Sequence, residues 1–278
     1  MRLYKSDRTE LAVAAPAAPL RALVRSYTAW FDPSTAVVRR RHVPSGHLAL
    51  IVNIGGRVRE QKAGSARWTE YRTFASGLHE AYTLSESSGP NLGVQVDFTA
   101  LGARLFYSQP LDDLANRTVA LDDVLGRYAE RLTAMLFEAP DWESRFALLD
   151  REIGARVDAA RQPSPEVVAA CGMIARSAGL RRIADVVREV GWSERHLATR
   201  FRNEYGLAPK AYARVVRFDR AVRLISSTAN PSLADVAVSC GYYDQAHLTR
   251  DVHALAGVTP LGLLESRMPL DGGFTARS

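Results

Sequence analysis

The sequence is poor in lysine, and arginine carries almost all of its positive charge. Lysine and arginine together number 36 against 30 acidic residues, which gives a net charge of +6 at pH 7 and a pI of about 9.5. The only lysines are Lys5, Lys62 and Lys210. A basic balance of this size suits a polyanionic partner.

Cysteine is scarce and no apolar run is long. Cys171 and Cys240 are the only cysteines, and both stand in predicted helices among apolar neighbours. We expect buried thiols in a reducing cytosol and no disulfide framework. No apolar run approaches the roughly 20 residues of a membrane helix. Asp7 and Glu10 interrupt the N-terminal segment, which argues against a signal peptide. We therefore predict a cytoplasmic protein without a membrane partner.

The common motifs of catalysis are also missing. The sequence has no glycine-rich phosphate loop, no Gly-x-Ser-x-Gly and no His-x-His pair. The histidines of the first half are His42, His47 and His79. Without a His-x-His pair they are better interpreted as surface or hydrogen-bonded residues than as metal ligands. Asp112-Asp113 and Asp122-Asp123 precede predicted helices and are interpreted as caps. We predict no catalytic residue, metal or cofactor, and no enzyme.

The stretch over 191–212, GWSERHLATRFRNEYGLAPKAY, has the order of signals that a helix-turn-helix requires. Its first glycine ends one helix, and Ser193 is placed to N-cap the next. Leu197 and Phe201 are four residues apart, so they share one face and can pack inward. A second glycine and a proline then predict a helix end followed by a new helix start.

The same order of signals returns about 50 residues later. Gly191-Trp192 matches Gly241-Tyr242 at an offset of 50, and Leu197 matches Leu248 at an offset of 51. The glycine and proline that follow also recur at an offset of 51, at Gly257 and Pro260. One residue is therefore inserted in the second turn, and the chain contains a duplicated unit.

The two motifs, joined by a predicted helix over 209–226, resemble the DNA-binding domain of AraC-type transcription regulators. The resemblance covers roughly 165–268. It is carried by GWSERHLATRFRNEYGLAPKAYARVVRFDRAVRLI and LADVAVSCGYYDQAHLTRDVHALAGVTP. It implies a seven-helix domain, with double-stranded DNA and RNA polymerase as partners, and it allows a homodimer. An unrelated helical bundle is the alternative.

The resemblance also assigns DNA-contacting positions, carried over residue by residue. The base-reading positions are Arg195, Ala198, Thr199, Gln245, Ala246, Thr249 and Arg250. Arginine pairs with guanine, glutamine with adenine, and threonine can meet a thymine methyl, whereas alanine offers only apolar contact. The phosphate-contacting positions are Ser193, Arg200, Arg202, Lys210 and Arg214. The alternative for each arginine is a solvated or ion-paired helix face.

The second motif departs from the family pattern. Val252 replaces the usual inner phenylalanine, and His253-Ala254 replaces a basic pair. We also expect Asp251 to place a negative charge close to DNA. Within 165–268 only Arg250 and Arg267 follow Arg223 among the basic residues. We therefore predict that the second motif binds DNA more weakly than the first.

The first half of the chain predicts β-structure. HLALIVNI at 47–54 is an apolar run between turn signals, which indicates a buried strand, and WTEYRTFASG, EAYTL and LGVQVDF are further strand candidates. We expect residues 1–19 to be irregular and 20–30 to be helix or strand. Amphipathic helices are predicted over 128–137 and 142–157. This half resembles the cupin-like sensor domain of the same family, built as a small barrel or sandwich.

We therefore predict an α+β chain in three segments. Residues 1–158 form a β-rich, cupin-like sensor or dimerisation domain with a helical tail, and 159–164 are the linker. Residues 165–268 form an all-α DNA-binding domain with two helix-turn-helix motifs, and the remaining C-terminal residues are expected to be frayed. A ligand in the barrel would contact Trp30, Trp68, Tyr71 and Tyr82, unless these aromatic residues only fill the core. Two alternatives remain, a ligand-free dimerisation module and, remotely, a DNA-acting enzyme.

Overall fold

Eleven of the twelve described strands lie in the first 120 residues, and the twelve form two antiparallel sheets. The computed structural model describes residues 1–6, 9–227, 231–267 and 274–276. The strands are β1 (Arg2–Ser6), β2 (Thr9–Ala14), β3 (Val24–Asp32), β4 (Val38–His42), β5 (His47–Gly55), β6 (Val58–Lys62), β7 (Trp68–Tyr71), β8 (Thr73–Ser76), β9 (Thr83–Ser87), β10 (Asn91–Thr99), β11 (Thr118–Ala120) and β12 (Phe274–Thr275). The first sheet has the order β1-β2-β3-β10-β5-β8-β11 and the second β12-β4-β9-β6-β7.

The strand predictions succeed where the apolar pattern is strong. The buried strand over 47–54 is confirmed as β5. The segment 20–30 consists of a short turn over 20–23 followed by the first part of β3. The expectation that residues 1–19 are irregular is wrong, because β1 and β2 lie there. Ala12 of β2 faces Ala29 of β3 and both are fully buried, so the two small side chains let the strands pair in an alanine-rich sequence.

One helix, α1 (Ala100–Tyr107), lies between β10 and β11, and the others follow β11. They are α2 (Leu121–Leu125), α3 (Arg127–Glu138), α4 (Trp142–Asp158), α5 (Pro165–Arg176), α6 (Ile183–Val190), α7 (Glu194–Tyr205), α8 (Pro209–Ile225), α9 (Leu233–Ser239), α10 (Gln245–Ala256) and α11 (Pro260–Glu265). The predicted helices over 128–137 and 142–157 are confirmed as α3 and α4. The described part of 165–268 holds the seven helices α5 to α11; Met268, the predicted domain end, lies outside the described residues. No described helix is long and apolar enough to cross a membrane.

The two Asp-Asp pairs lie inside helical turns and do not act as N-caps. Asp112 and Asp113 begin a short 3-10 turn after Leu111, and Asp122 and Asp123 are in the first turn of α2. Neither preceding residue makes a side-chain capping hydrogen bond. The interpretation as caps is therefore wrong by one or two positions, although an acid in a first turn is still favoured by the helix dipole.

The main hydrophobic core lies between the first sheet and the helices. Leu50 and Val94 are fully buried on this face, and Phe98 stacks on Phe106 of α1 with ring centroids 4.9 Å apart. The same apolar cluster continues through α5 and α7 to Val216 in the middle of α8. A second cluster begins with Phe218 and holds α9 to α11 together. The first motif thus shares its core with the N-terminal sheets, and the second has its own.

Polar contacts also join the two halves of the chain. The Arg104 guanidinium on α1 donates to the Glu204 carboxylate on α7 at 2.6 Å, and both side chains are only 8% exposed. The Leu111 amide donates to the Asn203 carbonyl at 3.2 Å. Gly206 follows α7 with a φ of +88°, and a Cβ there would lie 2.9 Å from the Leu111 carbonyl oxygen. The end of the first recognition helix is therefore tightly packed on the N-terminal half.

The C-terminal segment returns to the second sheet. Phe274 and Thr275 pair with Arg41 and Arg40 of β4, and Phe274 is 8% exposed. The expected fraying is wrong for this short strand, because the pairing satisfies its backbone and buries its phenylalanine. The remaining residues of that prediction, 268–273 and 277–278, lie outside the described residues.

Candidate DNA interface

The first motif consists of α6, a glycine turn and α7. Gly191 ends α6 in the left-handed region with a φ of +74°. The Ser193 hydroxyl accepts a hydrogen bond from the His196 amide at 3.2 Å, which caps α7. Leu197 and Phe201 are fully buried. The predicted stop, cap and inner face are all confirmed.

The second motif, α9 to α10, repeats this construction with a different cap. The Asp244 carboxylate accepts a hydrogen bond from the His247 amide at 2.7 Å. Leu248 and Val252 are fully buried, in the positions that Leu197 and Phe201 occupy in the first motif. The inner position of Val252 is therefore confirmed.

The residue inserted in the second motif is Tyr243. Asp244 and Ser193 are both N-caps and stand 51 residues apart, whereas Tyr242 and Trp192 stand 50 apart, so Tyr243 has no counterpart. Its side chain is 92% exposed directly before the second recognition helix. The change of offset in the repeat marks this position, but it did not indicate that an aromatic ring would face solvent there.

The positions assigned to base reading lie on the outer sides of α7 and α10. Those that are exposed are Arg195, Thr199, Gln245, Ala246 and Arg250, and those that are half-buried are Ala198 and Thr249. The Thr199 hydroxyl donates to the Arg195 carbonyl at 3.0 Å, and the Arg250 guanidinium donates to the Ala246 carbonyl at 3.3 Å. Five of the seven side chains are exposed, so the outer sides of both helices are accessible within the described residues; base contact by these residues stays a prediction.

The residues assigned to phosphate contact have different surroundings. Arg202 and Lys210 are exposed and have no ion pair within 4.0 Å in the described part of the chain. Arg200 lies 3.8 Å from Glu204, the residue that also pairs with Arg104. The Ser193 hydroxyl serves as the cap of α7. Arg202 and Lys210 are thus the least engaged cations of the set.

An ion pair between Arg214 and Asp251 links α8 to the second recognition helix, α10. Both Nε and Nη2 of Arg214 lie 2.7 Å from Asp251 Oδ1, and the Tyr242 hydroxyl donates to the other carboxylate oxygen at 3.0 Å. Asp251 is 7% exposed. The expectation that it lies close to DNA is wrong, because it stands three residues after Leu248 and four before Leu255 and therefore shares their inner face.

One helix spans the two motifs. α8 has 17 residues, which corresponds to about 25 Å at 1.5 Å per residue. Its first half belongs to the cluster that contains Leu197 and Phe201, and its second half to the cluster that contains Leu248 and Val252. The two recognition helices are therefore fixed to opposite ends of one rigid element.

Comparisons with known proteins agree with this geometry. Residues 186–266 match a family described as a helix-turn-helix domain. HTH-type transcriptional regulator Rv1931c of Mycobacterium tuberculosis is 30% identical over 107 residues, 38% of this chain and 41% of the relative. YbfI of Bacillus subtilis, named an uncharacterized HTH-type transcriptional regulator, is 30% identical over 88 residues, 31% of each chain. The chain thus spans well under half the length of these relatives.

The C-terminal domain is an AraC-type helix-turn-helix domain. The duplicated, capped motif on a single connecting helix and the family match over the same residues both support this assignment. Before the AraC-type domain, residues 12–120 match a family described as a domain of unknown function, DUF6597. The cupin-like character of those sheets stays a prediction.

Two solved structures are also similar. ToxT from Vibrio cholerae has a TM-score of 0.47 and 12% identity, covering 86% of this chain and 97% of its own. The C-terminal domain of AraT, a response regulator from Geobacillus stearothermophilus, has a TM-score of 0.37 and 21% identity, covering 40% of this chain and 93% of its own.

Proposed function

We propose that the chain is a sequence-specific, DNA-binding transcription regulator without enzymatic activity. The observation that carries the proposal is the pair of capped recognition helices, α7 and α10, each with a buried apolar side and an accessible polar side. A helix of this kind fits the major groove, where side chains of its first turns reach base edges. The AraC-type domain supports the same function.

Within this proposal, the outer side chains divide by chemistry. Arg195 and Arg250 would pair with guanine and Gln245 with adenine, while Thr199 and Thr249 would meet thymine methyl groups. Phosphate contact falls mainly on Arg202 and Lys210, with Ser193, Arg200 and Arg214 in supporting positions. Arg214 would have to share its guanidinium between a phosphate and Asp251, which makes a phosphate contact by Arg214 less favourable.

We infer that the second motif contributes less to DNA affinity than the first. His253 and Ala254 stand where phosphate-contacting bases would be useful, and Arg250 is the one arginine on α10. Each phosphate contact that is lost removes a share of the counterion release that drives binding. The first motif therefore supplies most of the electrostatic attraction, and the second refines the choice of site.

We further propose that a small molecule bound in the N-terminal half controls the presentation of the motifs. The contacts of α7 with Arg104 and Leu111 support this, because a change among these residues would reach the first recognition helix directly. RNA polymerase and a second copy of the chain are the proposed protein partners. The second candidate is an N-terminal half that only dimerises, which the same contacts would allow.

Genomic footprinting with the full-length protein tests the proposal. Protected sites should share a sequence that spans two neighbouring major-groove segments on one side of the duplex. Arg195→Ala should relax the preference at one base position within that sequence. If the protein protects no genomic fragment even at low salt, the proposed function is wrong.

A further inference from the structure

The turn before the second recognition helix carries an exposed aromatic ring. Tyr243 is 92% exposed, the largest exposed fraction of any large apolar or aromatic side chain among the described residues. Its backbone amide donates to His247 Nδ1 at 3.4 Å. Its side chain makes no hydrogen bond, ring contact or cation contact within the part of the chain that the structure describes. The whole ring is therefore available to a partner.

The backbone that presents this ring is held on both sides. Before it, the Tyr242 amide donates to the Ala237 carbonyl at 2.9 Å, and the Tyr242 hydroxyl donates to the buried Asp251 carboxylate at 3.0 Å. After it, the Asp244 carboxylate accepts a backbone amide hydrogen bond from the first turn of α10 at 2.7 Å. Little backbone freedom is thus lost when Tyr243 contacts a partner, which lowers the entropic cost of that contact.

Tyr243 stands beside the residues that we propose to read bases. It comes two positions before Gln245 and three before Ala246, which are exposed in the first turn of α10. Side chains at this end of a recognition helix are the ones that reach DNA in helix-turn-helix proteins. The ring therefore extends the proposed DNA surface of the second motif beyond the end of the helix, and the first motif has no residue in the same place.

The second motif has little positive charge with which to bind DNA. In the first motif α6 carries one arginine and α7 carries three, whereas α9 carries none and α10 carries Arg250 alone. The caps differ in the same direction, because α7 begins at the neutral Ser193 hydroxyl and α10 at the Asp244 carboxylate. A carboxylate at a helix N-terminus repels a phosphate there. Contacts of this turn with DNA are therefore expected to be largely uncharged.

DNA offers uncharged surface that suits an aromatic ring. Thymine methyl groups project into the major groove, and the carbon atoms of the deoxyribose rings form apolar faces along its walls. Tyrosine combines a large apolar ring with a hydroxyl that can stay in water, so it can pack on either surface without leaving a polar group unpaired. The exposed ring of Tyr243 thus has a matching surface on the proposed partner.

Two further exposed apolar side chains lie near the same turn. Val238 of α9 is 77% exposed, and Leu180, whose Cδ2 lies 2.6 Å from the position of a Cβ at Gly241, is 45% exposed. A protein partner would cover all three side chains, since clustered apolar surface favours protein contact. Tyr243 differs from the other two in its place directly before α10, next to the base-reading residues, and that place favours DNA.

We propose that Tyr243 is a further DNA-contacting residue, whose ring packs on uncharged surface of the major groove, either a thymine methyl group or a deoxyribose face. A thymine contact makes the residue specificity-determining, and a deoxyribose contact adds affinity on every sequence. This inference rests on the proposed function and deepens it, because it gives the weakly charged second motif its own source of affinity.

Anisotropy titration of the full-length protein on a labelled duplex that carries a footprinted genomic site tests the contact. Tyr243→Ala should weaken binding by about tenfold, because it removes an aromatic ring that binding buries. Tyr243→Phe should bind within about twofold of the wild type, since the ring is kept. Val238→Ser is the matched control, an exposed apolar residue of the same motif, and it should leave the affinity unchanged. All three variants should keep the wild-type Tm because the side chains are exposed.

Replacement of single thymines by deoxyuridine distinguishes the two DNA surfaces. If Tyr243 packs on a thymine methyl group, one replacement should weaken wild-type binding by about threefold and leave Tyr243→Ala unaffected. If it packs on deoxyribose, each replacement should affect the wild type and Tyr243→Ala equally. In both cases the slope of log affinity against log salt concentration should be the same for the two proteins, because no cation is removed.

Three results would overturn the proposal. Equal affinities of Tyr243→Ala and the wild type would exclude the contact and leave a protein as the partner of the exposed turn. A loss in Tyr243→Phe as large as in Tyr243→Ala would assign the contact to the hydroxyl, and an equal loss in Val238→Ser would assign it to the turn as a whole. In each case the wild type still binds DNA, whereas failure of the proposed function means that the wild type binds no genomic duplex.

Discussion

Removal of one partner of the buried Arg104–Glu204 ion pair between α1 and α7 should destabilise the protein strongly, whereas removal of both partners should not. In Glu204→Gln the Arg104 guanidinium stays in its buried position and loses its counter-charge. The Arg104 Nη1 atom already has no hydrogen-bond partner, so the site offers little compensation. We expect a large loss of stability, together with a loosened contact between the first recognition helix and the N-terminal half.

The distance between the two charges gives the size of the expected loss of stability. At the observed 2.6 Å separation, the attraction is about 6 kcal/mol with an effective dielectric constant of about 20. Desolvation of the two ions costs several kcal/mol each, so the intact pair is close to neutral in net stability. Removal of one partner leaves that desolvation uncompensated, and we expect about 3–5 kcal/mol of destabilisation in Glu204→Gln and in Arg104→Met.

Urea unfolding of the single variants and of the double variant Arg104→Met/Glu204→Leu measures this coupling. The double variant should recover most of the stability that either single variant loses, because no buried charge remains. Glu70→Gln is the control, since its partner Arg57 and Glu70 itself are 69% and 48% exposed, and it should change stability by less than about 1 kcal/mol. Additive losses in the double variant would refute the reasoning.

The remaining predictions concern DNA contact, thiol reactivity and pH. Arg195→Ala should weaken specific binding by about 1–3 kcal/mol in a gel-shift titration and relax one base position; equal loss on all sequences would assign Arg195 to phosphate. Arg202→Ala should weaken binding on every sequence and reduce the salt slope by about 1. Burial raises the pKa of Cys171 to about 12, so a thiol reagent at pH 8 should label it only after unfolding. Burial lowers the pKa of His79 to about 4, so the unfolded state binds more protons, stability should fall as pH falls from about 6.5 to 4, and His79→Gln should flatten that dependence.

Local signals in the sequence are sufficient to predict the two helix-turn-helix motifs. Ser193, Leu197 and Phe201 are close in sequence, and their roles depend on one turn of helix. Asp251 shows the limit of an argument from residue type. Its spacing from Leu248 indicates an inner position, but its charge suggested an outer one, and the pairing with Arg214 that allows burial is formed across 37 residues.

The structure of the N-terminal half is harder to predict from the sequence, because some of its strands consist mainly of polar residues. β4 is a run of arginines and a histidine without apolar alternation, so no period of two was visible. Trp68 and Tyr71 are three residues apart on β7 and so face opposite sides of the sheet. The Tyr71 hydroxyl donates to the Thr118 carbonyl, whereas Trp68 packs by Arg59 and Tyr82 by Gly257. The Arg104–Glu204 pair spans 100 residues and leaves no local signal.

Hydroxyl-radical footprinting on a defined binding site tests the central claim most directly. The account predicts two protected segments about 34 Å apart on one side of the duplex. Arg195→Ala should weaken protection of one segment and Gln245→Ala protection of the other. A single protected segment, or protection that both variants leave unchanged, would contradict a regulator that reads DNA with two helices at once.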